Sequence, residues 1–176
     1  MSGEAGEPTI HASAVLVGTS AVLIRGPSGS GKSRLAFELI LAGRTGQIAG
    51  AKLIGDDRLH VWPKGGQLMI GPAPALAGLI EIRGLGIRRC DFASQAPAGL
   101  VVDLDAADAE RLPPPEALRV SIKGISIPRI PVQQGFSGLP LVIAALTMTA
   151  NSSSAHPSAD CLKEFGNHIT PTIATD

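Results

Sequence analysis

The fold is decided by Gly26-Pro27-Ser28-Gly29-Ser30-Gly31-Lys32-Ser33, a stretch that satisfies the pattern GxxxxGK[ST] in full. The glycines in this pattern allow a tight turn whose backbone N–H groups point at phosphate oxygens, and the helix that follows adds the positive end of its dipole. The Lys32 ammonium can reach the β- and γ-phosphates of a nucleotide, and the Ser33 hydroxyl can ligate Mg²⁺. The stretch therefore predicts a binding site for ATP and Mg²⁺.

The residues on either side of the loop support this interpretation. Apolar runs at Ser13–Val17 and Ala21–Arg25, separated by Gly18-Thr19-Ser20, predict a β-hairpin with a three-residue turn whose second strand leads into the loop. After the loop, Lys32–Ala42 carries apolar residues at helical spacing, and Gly43 is the predicted C-cap. A strand that arrives from a hairpin, and not from a βαβ unit, argues against an ordinary small GTPase or RecA-like ATPase.

The rest of the chain predicts an α/β domain with a strand-rich, partly antiparallel (mixed) sheet and few helices. The predicted strands are Lys52–Gly55, Leu59–Trp62, Gln67–Ile70, Gly99–Leu104, Leu118–Ile122 and Arg129–Val132, with an apolar segment at Leu76–Ile82 and a helix at Leu139–Thr149. We expect a flexible leader over residues 1–9, a catalytic domain over residues 10–150 and a polar, mobile tail over residues 151–176.

Composition excludes several classes of function. Fifteen basic and fifteen acidic residues cancel and aromatic residues make up 3 % of the chain, so the sequence predicts no nucleic-acid partner. The first residues are acidic and polar, unlike a signal peptide, and no apolar run reaches about 18 residues, so no membrane partner is expected. Cys90 and Cys161 lack metal-ligand spacing, which is typical of free thiols in a reducing cytoplasm. We therefore expect a cytoplasmic protein.

Acidic residues that follow apolar segments are candidates for chemistry at the loop. Asp56 and Asp57 follow a predicted strand and should point to opposite faces, so that one accepts a proton from an attacking hydroxyl and the other orders the metal or the protein. Glu81 and Arg83 should share one face of a strand, where Glu81 can ligate Mg²⁺ and Arg83 can steady phosphate charge. The alternatives are a solvated turn for the aspartates and an exposed ion pair for the other two. His11, at the start of the hairpin, is a weak signal when taken alone.

Taken together, these segments resemble HPr kinase/phosphorylase. The resemblance lies in His11 before the hairpin and the phosphate loop, in Ile54-Gly55-Asp56-Asp57-Arg58, and above all in Leu79–Ile87, read LIEIRGLGI, because ordinary P-loop NTPases lack such a segment. It covers about residues 9–150. It implies a short form made of the catalytic C-terminal-type domain alone, with a fold like that of HPr kinase and PEP carboxykinase.

The resemblance implies an ATP- and Mg²⁺-dependent kinase that phosphorylates a seryl residue of the phosphocarrier protein HPr, a reaction that many members of the family also reverse by phosphorolysis. It makes Asp56 the base for phosphorylation and the acid for the reverse step, and it matches Arg111 to the family's active arginine. The predicted catalytic residues are His11, Lys32, Asp56, Asp57, Arg83 and Arg111, and the predicted metal ligands are Ser33 and Glu81. The family's homo-oligomer is a hexamer.

One stretch departs from the family pattern. Near the C-terminus the family has a basic loop that contacts HPr and serves dephosphorylation, and the matching stretch here is Pro131–Ser137. Gln133 and Phe136 stand where arginine or lysine is expected, which predicts weak phosphorolysis. Two alternative functions are a kinase of the same fold with another acceptor, and a regulatory protein that binds the nucleotide without transferring phosphate.

Overall fold

A mixed nine-stranded sheet organises residues 8–148, which are the residues that this computed structural model describes. A separate two-stranded sheet, β7–β8, stands beside it. The strands are β1 Ile10–His11, β2 Ser13–Val17, β3 Ser20–Arg25, β4 Ala51–Gly55, β5 Arg58–Lys64, β6 Gln67–Pro72, β7 Leu79–Ile82, β8 Gly86–Arg89, β9 Ala96–Leu104, β10 Arg119–Ile122 and β11 Ile125–Val132. The α-helices are α1 Lys32–Arg44 and α2 Leu139–Thr147, and short 3₁₀ turns span Pro74–Leu76 and Pro115–Leu118.

The strand order places three parallel strands at the centre of the sheet. The order is β1-β5-β6-β9-β3-β2-β4, and β11 adds to β9 and carries β10. Strands β3 and β11 both pair with β9 in parallel, whereas the other pairs are antiparallel. The carboxyl ends of β3, β9 and β11 therefore meet at one edge, the position where open α/β sheets bind ligands. The predicted strand-rich, partly antiparallel α/β fold is confirmed.

Strand β3 is buried on both faces, which explains why its sequence is continuously apolar from Ala21 to Ile24. In β3, Val22 and Ile24 pack with Leu39 of α1, while Leu23 points to the opposite face and packs with Ile70 of the β5–β6 hairpin. Burying a side chain of this size stabilises the fold by about 1.5–3 kcal/mol. The strand that leads into the phosphate loop is therefore held firmly from both sides. Among the described residues, no helix is long and apolar enough to cross a membrane.

Two predicted details around the first helix are wrong. The β2–β3 turn has two residues, because Ser20 is already paired with Val17. Helix α1 runs through Gly43 and is capped by Thr45, whose N–H donates to the carbonyl of Leu41 at 3.0 Å. Gly43 is needed for packing and not for a cap, since a Cβ there would lie 2.7 Å from the Cβ of Ala51.

The segment around β7 also differs from the prediction. The apolar stretch Leu76–Ile82 is broken at Gly78, which has φ +73°, and only Leu79–Ile82 is extended. Strand β8, Gly86–Arg89, was not predicted, because all four residues are exposed and show no alternation. Arg83 lies in the turn after β7, so it does not continue the strand of Glu81 as expected. The predicted tail at 151–176, Cys161 and most of the leader lie outside the described residues.

An ion-pair network fastens the carboxyl ends of the three parallel strands to one another. Arg25, the last residue of β3, donates from Nε and Nη2 to Asp103 of β9 at 2.7 and 2.8 Å. Arg129 of β11 donates to the same Asp103 and also to both oxygens of Asp108 at 2.7 and 2.9 Å. A further bond of 3.0 Å from Arg129 to the Ala117 carbonyl ties in the segment between β9 and β10.

This network predicts a pH-dependent contribution to stability. Burial alone raises the pKa of Asp103, but hydrogen bonds from Arg25 and Arg129 outweigh it, and the pKa lies below its ordinary value of 3.8. A lowered folded-state pKa means that the stabilisation is present above the unfolded-state pKa and is lost as pH falls through the folded-state value. Asp103→Asn should therefore cost about 3 kcal/mol in free energy of unfolding at pH 7, and clearly less near pH 3.

Urea unfolding at both pH values measures this difference. Glu110→Gln is the matched control, because Glu110 is exposed and forms no salt bridge within residues 8–148. It should change the free energy of unfolding by no more than about 0.5 kcal/mol. An equal loss for Asp103→Asn at pH 7 and pH 3 would contradict the assignment.

Candidate active site

The phosphate loop begins where β3 leaves the sheet. Gly26 has φ +150°, and a Cβ there would come within 2.7 Å of Ser30 Oγ and 3.0 Å of the Leu104 carbonyl oxygen, so no other residue fits. Gly31, with φ +97°, is the N-cap of α1, and no side chain bonds to this end of the helix. The first N–H groups of α1 are therefore free of side-chain caps and suited to an anion.

Lys32 is folded against the loop that it follows. Its Nζ donates to the carbonyls of Gly26 and Pro27, both at 2.9 Å, and the residue is 6 % exposed. Burial lowers the pKa of Lys32, and the nearby charges of Asp56 and Asp57 counter that effect in part. The ammonium is thus held in place before any phosphate arrives, as a preorganised cation.

Asp56 lies at the centre of the site. It is 5 % exposed and accepts hydrogen bonds from the Ser13 hydroxyl, from the Ser33 hydroxyl at 2.9 Å and from the Glu81 N–H at 3.1 Å. These bonds join strands β2 and β7 and helix α1 to the end of β4. Because the Ser33 hydroxyl donates its proton to Asp56, its oxygen lone pairs remain available to a cation.

Asp57 occupies a different environment from Asp56. Its backbone is left-handed, with φ 70°, and a hydrogen bond of 2.9 Å from the Arg58 N–H to the Asp56 carbonyl closes the tight turn around it. Its side chain is 63 % exposed, and Oδ1 lies 3.0 Å from His11 Nε2. The two carboxylates are thus separated into a buried and an exposed one, as expected for neighbours that point in opposite directions, whereas their roles remain predictions.

These residues line a cleft of about 840 Å³ above the phosphate loop. Of the residues predicted from the sequence, it brings together His11, Ser28, Gly29, Ser30, Gly31, Lys32, Ser33, Asp56, Asp57, Glu81 and Arg83. Gly26 and Pro27, the first two residues of the loop, are not among the residues that line the cleft, and their carbonyls accept the hydrogen bonds from Lys32. Arg111 lies in an exposed bend between β9 and the second 3₁₀ turn and is not among the residues that line the cleft. Its role as the active arginine stays a prediction.

Two residues of this region were missed by the sequence analysis. Asp105 lines the cleft directly after β9, with a left-handed backbone of φ 54°. It could have been found, because it follows an apolar strand in the same way as Asp56 does. Ser13 gave no signal, since a serine in an apolar strand has many uses and only the fold reveals its bond to Asp56.

The donor set fits the way proteins hold Mg²⁺. Within residues 8–148, no group of three or more His, Cys, Asp or Glu side chains is arranged for a metal ion. Mg²⁺ commonly keeps several waters and takes one or two protein oxygens together with substrate phosphates. The Ser33 hydroxyl, hydrogen-bonded to Asp56, and the Glu81 side chain line the same cleft and supply oxygen donors of this kind.

Comparisons with known proteins agree with the geometry. The model of the HPr Serine kinase C-terminal domain matches residues 4–167. HPr kinase/phosphorylase from Streptococcus thermophilus is 32 % identical over 94 % of this chain and 55 % of the relative, and that from Enterococcus faecalis is 34 % identical over 94 % and 54 %. The chain thus spans about half the length of these curated relatives.

A solved structure shares the fold. The structure of the Hpr(Ser) kinase/phosphatase from Coxiella burnetii aligns with a TM-score of 0.62 and 28 % identity, over 80 % of this chain and 93 % of that one. The sequence resemblance, the match of the family model over most of the chain and the shared fold agree with one another. The chain belongs to the family of the HPr serine kinase C-terminal domain.

Proposed function

We propose that this chain is an ATP- and Mg²⁺-dependent protein kinase that phosphorylates a seryl residue of the phosphocarrier protein HPr. The observation that carries the proposal is the hydrogen bond between the buried Asp56 carboxylate and the Ser33 hydroxyl of the phosphate loop. This bond supports the proposal because it joins the residue proposed as the proton acceptor to the residue proposed as a metal ligand. A protein that only sensed a nucleotide would need no such carboxylate.

In the proposed mechanism, the phosphates of ATP lie on the N–H groups of the loop and at the start of α1, and Lys32 balances the charge of the transferring group. The acceptor seryl oxygen attacks the γ-phosphorus, the bond to the ADP oxygen breaks, and Asp56 takes the seryl proton. Mg²⁺, held by Ser33 and Glu81, would neutralise phosphate charge. His11 orients Asp57 at the mouth of the cleft, and Arg83 steadies phosphate charge.

Incubation of the protein with HPr and ATP labelled at the γ-phosphate tests the proposal. We expect the label on a seryl residue of HPr and a loss of transfer when EDTA removes Mg²⁺. Binding of ATP without transfer would favour a regulatory nucleotide-binding protein, and labelling of a different acceptor would favour a related kinase.

We place the catalytic domain at residues 10–150, in the cytoplasm, and we expect a homo-oligomer, a hexamer by family resemblance. Light scattering coupled to size-exclusion chromatography measures the oligomer directly.

Phosphorolysis of phospho-HPr is predicted to be slow. It needs inorganic phosphate beside a phosphoserine, and the repulsion between them must be offset by cations. The exposed loop after β11 offers Gln133, Gln134 and Phe136 instead. Arg129, the nearest basic residue in sequence, is engaged with Asp103 and Asp108, and its hydrogen bonds to Asp108 and Asp103 raise its pKa.

To measure phosphorolysis, the protein is incubated with phosphoserine-HPr and millimolar inorganic phosphate, and the release of pyrophosphate is followed. Gln133→Arg should increase this rate, whereas Gln67→Arg, at the distant β5–β6 turn, should not. Release as fast as the forward kinase step in the unmodified protein would show that other residues supply the charge, and the prediction would then be wrong.

A further inference from the structure

The cleft has two ends, and the proposed chemistry uses only one of them. Asp56, Asp57, His11 and the β7–β8 hairpin form the acidic end, which contacts α1 through the Ser33 hydroxyl. At the other end the cleft is lined by Asp105 and by the loop 133–138. The proposed kinase step uses neither of them, and the loop has a part only in the prediction on phosphorolysis.

The sheet topology builds this second end. Because β3, β9 and β11 are parallel, the phosphate loop, Asp105 and the loop 133–138 all follow strand ends at one edge. The loop 133–138 packs against the first turn of α1, because a Cβ on Gly138 would lie 3.0 Å from a methyl carbon of Leu35. Its tip carries Phe136, which lines the cleft and yet is 69 % exposed.

Asp105 has a backbone conformation and surroundings that are typical of a ligand-binding residue. Its φ of 54° is uncommon outside glycine, and such outliers cluster at functional sites. Its side chain forms no salt bridge within residues 8–148, in contrast to Asp103 two residues earlier. Asp105 therefore lines the cleft without a salt bridge to any cationic side chain of residues 8–148.

The direction of the nucleotide follows from the acidic end. The acceptor hydroxyl must approach the γ-phosphate in line with the leaving oxygen, and therefore from the side opposite the rest of the nucleotide. If Asp56 takes the acceptor's proton, the nucleoside must extend away from Asp56. The sheet order agrees with this direction, because Asp56 follows β4 on the β2 side of β3, whereas Asp105 follows β9 on the other side of β3.

We infer that Phe136 and Asp105 form the nucleoside subsite of the cleft, with the Phe136 ring stacked on the purine base and the Asp105 carboxylate accepting hydrogen bonds from the ribose hydroxyls. This inference rests on the proposed function for its direction. A base on the exposed Phe136 ring would bury apolar surface that otherwise faces water. The ribose hydroxyls are donors that match a carboxylate without a cationic partner.

Binding measurements on the full chain distinguish the contribution of the nucleoside to affinity from the contribution of the phosphates. Phe136→Ala should weaken ATP binding by about 5- to 100-fold, the usual effect of losing one stacked base, and leave the affinity for inorganic tripolyphosphate unchanged. Leu146→Ala is the matched control, since Leu146 is an exposed apolar residue of α2 outside the cleft lining. Phe136→Trp should restore ATP affinity.

Asp105→Asn tests the ribose contact. Asparagine tolerates the left-handed backbone, so the loop should keep its shape. We expect a loss of about tenfold or more in affinity for ATP, and a much smaller loss for 2′,3′-dideoxy-ATP, which lacks both hydroxyls. Equal losses for the two nucleotides would remove the ribose assignment.

Two outcomes would overturn the subsite as a whole. If Phe136→Ala weakens ATP and tripolyphosphate equally, the ring supports the phosphate loop and does not touch a base. If ATP affinity is unchanged and the KM for HPr rises, the loop 133–138 faces the acceptor protein. If the unmodified protein does not phosphorylate HPr but the two variants still lose affinity for ATP selectively, the proposed function is rejected. The nucleoside subsite is then still supported.

Discussion

Lys32→Ala is expected to abolish phosphoryl transfer while weakening nucleotide binding much less. In the proposed function, the buried ammonium is the one cation that the loop itself would bring to the β- and γ-phosphates, and its position is fixed by the carbonyls of Gly26 and Pro27. Removing a preorganised group that stabilises charge in the transition state costs about 10² to 10³ in rate. Loss of the two carbonyl contacts should loosen the loop and add to this effect.

The backbone N–H groups of the loop and the start of α1 remain in the variant, so ATP should still bind. The experiment measures the initial rate of HPr phosphorylation and the dissociation constant for ATP on the same preparation. Lys64→Ala is the matched control, because Lys64 is an exposed lysine at the end of β5 and is not among the residues that line the cleft. A near-normal kinase rate in Lys32→Ala would remove the phosphate-loop assignment, and with it the basis of the proposed function.

The parts of the fold that sequence could predict are those with local causes. The β2–β3 hairpin, the loop Gly26–Ser33 and helix α1 each follow from neighbours within a few residues: alternating or continuous apolar runs, glycines, and helical spacing. The double aspartate was located for the same reason, as an acid directly after an apolar strand. These elements bring most of the predicted site residues to one cleft.

The rest depends on contacts between distant parts of the chain. The bond from Ser13 to Asp56 spans 43 residues, and those from Arg25 and Arg129 to Asp103 span 78 and 26. No local pattern encodes such a pairing, because either partner alone resembles an ordinary polar surface residue.

Glycine shows the same limit in another way. Gly43 matched the helix-end pattern, but its absent side chain makes room for Ala51 of β4, a contact that only the packed fold reveals.

Strand β8 was missed because its exposed residues carry no alternation, and it is extended only because it pairs with β7. Arg111 matched by sequence and yet lies outside the cleft lining.

Asp56→Asn is the second change expected to have a large effect, with a loss of about 10² to 10⁴ in kcat, the usual range of general-base catalysis. The substitution keeps the shape of the side chain and removes its ability to accept a proton. The Ser13 and Ser33 hydroxyls can rotate to accept from the new amide, and the remaining carbonyl oxygen can accept from the Glu81 N–H. The fold and the affinity for ATP should therefore be largely kept.

Asp57→Asn is the matched control at the next residue, because it makes the same chemical change on a carboxylate that is 63 % exposed and keeps an oxygen for the contact with His11. Its effect on kcat should be much smaller, since an exposed group beside a histidine is poorly placed to take the acceptor's proton from within the cleft. If Asp57→Asn is the crippling change and Asp56→Asn is not, the buried carboxylate serves the metal and the exposed one is the base. If neither change slows the kinase, the seryl proton leaves by another route and the double aspartate has no catalytic part. Asp56 would then have only a structural role, joining β2, β7 and α1 through its three hydrogen bonds.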